Sequence, residues 1–180
     1  MTTFRPGGLA PIVATLIAAA IQPAHVRAQS VDCPMERALY AIPGHDGHEL
    51  SFPPAASPSV FTALEPTLRS LDTGDVYRFD YTVSMGYVTA HLAPQPQPPL
   101  LDDAVAGRTL GIHFFDDDHR HVLLAAEGEP APSYVFVPEL GPFLWYDVAL
   151  PEGREALSTA IWHLSQCRPA TAPDGGKRLR

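Results

Sequence analysis

The stretch Val76–Leu92, which reads VYRFDYTVSMGYVTAHL, decides how the rest of the chain can fold. Every second residue from Tyr77 to Val83 is aromatic or valine, and the residues between them are polar. This period of two is typical of a β-strand with one buried face. Ser84–Gly86 predicts a short turn, in which the glycine can adopt a positive φ, and Tyr87–Leu92 returns as a second strand. The stretch therefore predicts a β-hairpin whose aromatic face begins a hydrophobic core.

The hairpin extends on its N-terminal side. Asp72–Asp75, with the sequence DTGD, is a strong turn signal. It predicts that Thr67–Leu71 pairs with the first hairpin strand and forms a three-stranded meander. We expect Val60–Leu64 and Thr67–Leu71 to form one bent strand, broken at Pro66.

Proline divides the rest of the chain into short segments. The chain has 20 prolines in 180 residues, about twice the usual share of roughly 5%. Proline is excluded from helix interiors and central strands, so such segments favour short strands and loops. We predict turns or loops over residues 44–48 and 53–58. Further strands are predicted at Ala38–Ile42, Glu49–Phe52, Thr109–Phe115, His121–Ala125 and Ser133–Val137, the last of these buried on both faces.

A single segment, Glu152–Gln166, has a helical pattern. Pro151 suits the first turn of a helix, and Leu157, Ile161 and Leu164 recur at i, i+4 and i+7. We therefore predict a β-rich α+β fold, with an antiparallel sheet of about six to eight short strands and this C-terminal helix packed on it.

The two ends of the chain have compositions unlike its middle. Residues 1–28 combine a basic start, an apolar run of about 13 residues and the sequence Val26-Arg27-Ala28, as in a cleaved signal peptide. The alternative is an uncleaved membrane anchor, but the run is shorter than the roughly 20 residues that span a bilayer. We predict a signal peptide over 1–28, one β-rich domain over 29–167 and a disordered basic tail over 168–180. The protein is expected to be periplasmic or secreted, with no membrane span after cleavage.

Two cysteines, Cys33 and Cys167, lie at the two ends of the predicted domain. In an exported chain, two cysteines predict one disulfide bond. The alternative is two free thiols or a redox pair, but no Cys-x-x-Cys motif is present. The predicted bond would tie the first strand to the C-terminal helix.

The charge limits the classes of partner. After removal of residues 1–28 the chain keeps ten basic and twenty acidic residues, a net charge of −10. Nucleic acid and anionic membrane surfaces are therefore excluded as expected partners, whereas cationic partners and metal ions are compatible with the charge.

Two loops are rich in histidine and aspartate. One reads HDGH from His45 to His48, and the other is Asp116–His121, which contains His119 and His121. Imidazoles and carboxylates are ligands for zinc, copper or nickel, and these spacings let two imidazoles approach one ion. The alternative is that both loops are solvated turns. The four histidines are the candidate ligands of a divalent transition metal, and we predict no other cofactor.

Enzyme signatures are largely missing from the sequence, which has no Gly-x-Ser-x-Gly, phosphate loop or dinucleotide fingerprint. His91 or His163 could act as a general base, with Asp80 or Asp147 as the orienting acid, but no pattern selects them. We therefore assign no catalytic residues, and the chain is expected to lack enzymatic activity.

The aromatic residues admit two interpretations. They are expected to be core residues, and the alternative is a face that binds a sugar or a peptide. They are Tyr77, Phe79, Tyr81, Phe114, Phe115, Phe136, Phe143, Trp145 and Tyr146. The leading hypothesis is an exported, non-enzymatic binding or accessory protein of the bacterial envelope with a protein or small-molecule partner. The alternatives are a metal-binding periplasmic protein and a small hydrolase.

Overall fold

The computed structural model describes residues 33–59, 62–84, 89–96, 107–123, 126–146 and 156–169. The predicted signal peptide, most of the turn predicted at Ser84–Gly86 and nearly all of the predicted tail lie outside these ranges. Within them, no helix combines the length and hydrophobicity that crossing a membrane requires.

The described chain consists mainly of strands. A 3₁₀ turn at Met35–Arg37 precedes the first strand, and the α-helix α1 covers Leu140–Tyr146. The strands are β1 (Ala38–Ile42), β2 (His45–Ser51), β3 (Pro54–Ser59), β4 (Thr62–Leu64), β5 (Thr67–Ser70), β6 (Val76–Ser84), β7 (Thr89–Pro94), β8 (Leu110–Phe115), β9 (His121–Val122), β10 (Tyr134–Phe136) and β11 (Ile161–Cys167).

The main sheet closes on itself into a barrel. Each of β1, β2, β5, β6, β7, β8, β10 and β11 pairs antiparallel with the next of these strands along the chain, and β11 pairs back with β1. Strands β3 and β4, which lie between β2 and β5 in the chain, form a separate two-stranded hairpin. Strand β9 pairs with the C-terminal end of β8, beyond the residues of β8 that pair with β7. Closure removes the edges of these eight strands, so no ladder is left open there.

The predicted hairpin is confirmed as β6 and β7. Tyr77, Phe79 and Tyr81 are buried while the residues between them are exposed or half-buried, and Ala90 and Leu92 are buried on the return strand. Strand β5 pairs with β6 as predicted. The alternation of the sequence therefore specifies which face of this meander lies inside the barrel.

Large side chains fill the interior. A sheet of eight strands closes around a space just wide enough for side chains to fill. Tyr40 crosses this space and donates a hydrogen bond from its hydroxyl to the Pro132 carbonyl at 2.8 Å. Helix α1 contributes Phe143, whose ring lies 5.9 Å from that of Phe79. The largest fully buried side chains are Trp162, Tyr40, Tyr77, Phe52, Phe79, Phe114, Phe143 and Met35.

The predicted disulfide bond is confirmed. Cys33 and Cys167 are bonded with their Cα atoms 5.7 Å apart. Cys167 is the last residue of β11 and lies opposite Ala38, the first residue of β1. The bond therefore joins the segment before the first strand to the end of the strand that closes the sheet. A disulfide is consistent with a protein that folds outside the reducing cytoplasm.

The β-rich α+β class is confirmed, but the helix lies elsewhere than predicted. Of the segment Glu152–Gln166, residues 161–166 belong to β11, residues 156–160 form neither helix nor strand, and residues 152–155 lie outside the described ranges. Trp162 points inward between the exposed residues Ile161 and His163, so burial here alternates with the period of two that is typical of a strand. The i, i+4, i+7 spacing was misleading, because pairing with β1 and β10 outweighs local helical preference.

Several loop boundaries also differ from the predictions. Strand β2 begins at His45, so the HDGH segment is the start of a strand and not a turn. Residues 54–59 form β3, where proline is tolerated because β3 lies in a two-stranded hairpin outside the main sheet. Strands β4 and β5 pair with different partners and are not one bent strand. Strand β10 is buried at Val135 alone, with its two flanking residues half-buried.

Candidate functional site

The outer surface of three neighbouring strands carries an unusual number of rings. Because Phe114, Val135 and Trp162 point into the barrel, the residues on either side of them must point outward. Together with two residues of the β8–β9 segment, these outward residues form what we call the ring face. It consists of His113, Phe115, His119, His121, Tyr134, Phe136, Ile161 and His163.

A cleft of about 220 Å³ lies at the centre of the ring face. The ring of Tyr134 contacts both histidines of the cleft. The His119 ring is stacked on it, with the centroids 4.8 Å apart and an angle of 12° between the planes. The ring of His163 meets Tyr134 edge-on, at 4.9 Å and 86°. Phe115 and Ile161 complete the lining, and Ile161 is 47% exposed.

The backbone of His119 has a conformation that residues other than glycine rarely adopt. Its φ is +61°, in the left-handed region, where histidine is more frequent than most non-glycine residues but still uncommon. Asp116 fixes this turn, because its Oδ1 accepts hydrogen bonds from the backbone N–H of Asp118 at 2.9 Å and of Arg120 at 2.8 Å. The His119 N–H in turn donates to the Asp116 carbonyl at 3.0 Å. Strained backbone of this kind often occurs at functional sites.

Contacts within the loop engage the three acids beside the cleft. Asp116 binds the backbone, and Asp117 accepts a hydrogen bond from the Ser133 hydroxyl at 2.5 Å. Asp118 forms an ion pair with Arg120 at 2.8 Å. Among the described residues, the cleft lining contains two imidazoles and a phenol but no carboxylate.

The electrostatics of the cleft are dominated by its two histidines. Partial burial lowers the pKa of His163 below its usual value of 6.5, and the nearby positive charge of His119 lowers it further. The lowered pKa keeps His163 mainly neutral at pH 7, so its ring offers the cleft one N–H donor and one acceptor nitrogen.

The chain matches no family model, no curated protein and no solved structure. The site is therefore interpreted from its own geometry alone.

The candidate metal ligands His45 and His48 form a pair at the start of β2. His45 Nε2 lies 3.2 Å from His48 Nδ1, and the two rings are within 10° of parallel. A hydrogen bond with one shared proton accounts for this spacing. Asp72 is close by, since a Cβ added to Gly47 would lie 3.1 Å from Asp72 Oδ2 and 3.4 Å from His45 Nε2.

The other two candidate ligands make different contacts. His119 lies on Tyr134, and the His121 ring lies 5.9 Å from His113 and 5.7 Å from Phe115. In the part of the chain that the structure describes, no group of three or more His, Cys, Asp or Glu side chains is arranged to hold a metal ion. The four-histidine metal site stays a prediction.

The candidate general bases lie in two separate places: His91 is on β7, whose partner strand β6 carries Asp80 on the same outer face, and His163 is on β11. His91 Nε2 lies 3.2 Å from Thr89 Oγ1, and Asp80 accepts a hydrogen bond from the Gln95 amide at 2.8 Å. His163 lies in the ring cleft, and Asp147 is outside the described ranges. The hydrolase alternative also stays a prediction.

Sequence reasoning missed Tyr134 and Ile161 as site residues and assigned Phe115 and Phe136 to the core. The strand periodicity contained a usable signal. Consecutive Phe114 and Phe115 cannot both face inward, and Tyr134 and Phe136 alternate with Val135. What the sequence could not reveal is that β8, β10 and β11 are neighbours.

A second cleft, of about 280 Å³, lies between helix α1 and Ala156–Ser158. The described residues that line it are mainly apolar, with Tyr146 and Ser158 as the residues that carry a hydroxyl, and none of these described residues has an imidazole or a carboxylate. Residues 147–155, which connect its two walls, lie outside the described ranges. The ring cleft is smaller but has the more specific chemistry.

Proposed function

We propose that this protein is a non-enzymatic binding module, and that the ring cleft is its binding site. The observation that carries the proposal is the stacked pair of His119 and Tyr134, which is formed by a left-handed backbone at His119. The Asp116 turn holds that backbone before any ligand arrives. A site organised in advance loses less conformational freedom on binding.

The location of the site on the outside of the barrel agrees with this proposal. The interior is occupied by fully buried rings such as Trp162 and Tyr40. A ligand therefore has to bind on the surface, and the ring cleft offers apolar walls together with a few polar groups, which is the usual composition of a small-molecule site.

The size of the cleft limits the ligand. Drug-sized ligands occupy sites of roughly 300–1,000 Å³, while a cavity of about 150 Å³ already binds benzene. A cleft of about 220 Å³ therefore suits one ring with a small substituent. The flat His119–Tyr134 pair and the edge of His163 favour a planar ligand.

The proposed setting is the periplasm or the extracellular space, following the predicted signal peptide over residues 1–28. Support comes from the disulfide between Cys33 and Cys167, because such bonds persist in oxidising compartments. Fractionation of cells that express the full chain, with N-terminal sequencing of the product, tests this point. A cytoplasmic product that retains residue 1 would contradict it.

Binding is tested by NMR titration of the disulfide-bonded protein with benzoate, benzyl alcohol and cyclohexanol. We expect at least one aromatic compound to bind with a Kd of about 0.1–1 mM, as suits so few ligand atoms. Shift changes should centre on Phe115, His119, Tyr134, Ile161 and His163, and cyclohexanol should bind more weakly because it cannot stack.

Two variants make this test specific. Tyr134→Ala removes the ring that contacts both His119 and His163, and it should abolish binding. His119→Asn removes the ring but keeps a residue that tolerates the left-handed region, so the fold is retained while binding weakens. His91→Gln, on β7 and outside the cleft, is the matched control and should bind as the original protein does. Absence of shift changes at the cleft with every compound would refute the proposal.

A further inference from the structure

We infer that the ring cleft selects a single-ring aromatic carboxylate, with the ring held among Phe115, Tyr134 and Ile161 and the carboxylate accepting hydrogen bonds from His119 and His163. This inference rests on the proposed function and adds the chemical class of the ligand.

The first step concerns the polar groups of the lining. Each imidazole offers an N–H donor whether it is neutral or protonated, and the Tyr134 hydroxyl offers another. A ligand with an acceptor oxygen can use these donors, and an ionised acceptor forms stronger hydrogen bonds than a neutral one.

The second step concerns the acids near the cleft. An anionic ligand would be repelled if the carboxylates of the β8–β9 loop faced it. Asp116 is bound to backbone N–H groups, and Asp118 is paired with Arg120 at 2.8 Å. Asp117 accepts a hydrogen bond from the hydroxyl of Ser133, the residue before β10, through one of its two oxygens. The loop therefore supplies a histidine to the cleft and uses its acids for its own structure.

The third step compares the cleft with the rest of the molecule. The whole chain has a net charge of −8, with 20 acidic residues against 12 basic ones. Within this acidic chain, the ring face gathers four of the eight histidines of the sequence, two of them in the cleft itself. The two cleft histidines can donate N–H hydrogen bonds to the oxygens of a negative ligand. The apolar side chains of Phe115 and Ile161 would pack against the ring of that ligand.

The experiment compares benzoate with its uncharged relative benzyl alcohol and with acetate, by calorimetry on the disulfide-bonded full chain. We expect benzoate to bind about tenfold more tightly than benzyl alcohol, because only benzoate offers an ionised acceptor. Acetate should bind too weakly to measure, since it lacks the ring.

The key variant is His163→Phe, which keeps a ring edge beside Tyr134 but removes the N–H donors. It should lose most of the preference for benzoate over benzyl alcohol. His91→Phe, on β7, is the matched control and should keep the preference. The change in the NMR chemical shifts of Tyr134 when benzyl alcohol is added shows whether the variant still forms the cleft.

The outcomes separate the two proposals. If benzyl alcohol binds at the cleft as tightly as benzoate, the inference about the carboxylate fails and the binding module stands. If His163→Phe keeps the full preference, the assigned donors are wrong and the inference likewise fails. If neither aromatic compound binds, the proposed function itself is refuted.

Discussion

Gly141, the second residue of helix α1, packs so closely against the backbone of Leu157 that there is no room for a side chain. A Cβ added at this position would overlap the backbone carbonyl oxygen of Leu157, which cannot rotate away. We expect Gly141→Ala to destabilise the protein by about 1–3 kcal/mol, as overpacking of a tight contact does. Urea unfolding measures the change.

The control for this prediction is Gly111→Ala on β8. The added methyl there would meet only side-chain atoms, His113 Nε2 at 3.8 Å and Glu139 Oε2 at 3.9 Å, which is ordinary contact. Its stability should be unchanged or slightly higher, because alanine restricts the unfolded chain. Equal losses in the two variants would show that the Leu157 contact does not matter.

His163 makes the stability of the fold depend on pH. Partial burial and the His119 charge lower its pKa in the folded protein, so the unfolded chain binds this proton more readily. The contribution is therefore fully present above the unfolded value of 6.5 and is lost as the pH falls through 6.5 towards the folded pKa. His163→Gln should lose less melting temperature between pH 7.5 and pH 5 than the original protein, while His91→Gln should keep the original slope. An unchanged slope in His163→Gln would contradict this.

The closing strand β11 shows how non-local pairing overrides a local pattern. From Leu157 to Leu164 the sequence satisfies a helical spacing, and nothing nearby opposes it. The strand forms because Ala38 and Leu39 lie opposite Cys167 and Gln166, more than 120 positions away in the chain. By contrast, β6 was predictable because its alternation and its turns are both local.

The disulfide acts on the same closing element. Because it joins residues 134 positions apart, it restricts the unfolded chain strongly. We expect the double variant Cys33→Ser with Cys167→Ser to lose up to about 4–5 kcal/mol in unfolding free energy, with a larger urea m-value because its unfolded state is more expanded. Reduction of the original protein should give the same loss. A loss below about 1 kcal/mol would show that the pairing of β1 with β11 is sufficient alone.

For the whole molecule, the sequence predicted the class of fold better than the site. Fold class follows from short alternating strands and proline spacing, which are properties of neighbouring residues. The ring cleft depends on which strands are neighbours, because Phe115, Tyr134 and His163 come from three strands and only closure of the sheet brings them together. His119 and His121 were predicted as metal ligands, which stays a prediction, and the rings that they contact are ones that no spacing rule connects to them.

Closure of the sheet also predicts how the molecule responds to truncation. A chain that ends after residue 169 keeps β11 and Cys167. Its melting temperature should stay within about 2 °C of the full chain, because the basic tail that it lacks is predicted from its composition to be disordered. A chain that ends after residue 160 lacks β11, which leaves β1 and β10 as open edges and Trp162 missing from the core. It should show no cooperative unfolding and should aggregate, because exposed edges template pairing between chains.

The shorter chain also lacks the disulfide, so the full-length double serine variant is the necessary reference. That variant retains the closed sheet, and it should still unfold cooperatively, although at lower denaturant. If the chain ending at residue 160 unfolds as cooperatively as this reference, β11 is an accessory strand rather than the closing one. If the reference and the shorter chain are both unfolded, the bond rather than the strand maintains closure. Only a folded reference beside an unfolded truncation supports closure by pairing, because the two chains differ in the strand and tail while sharing the missing bond.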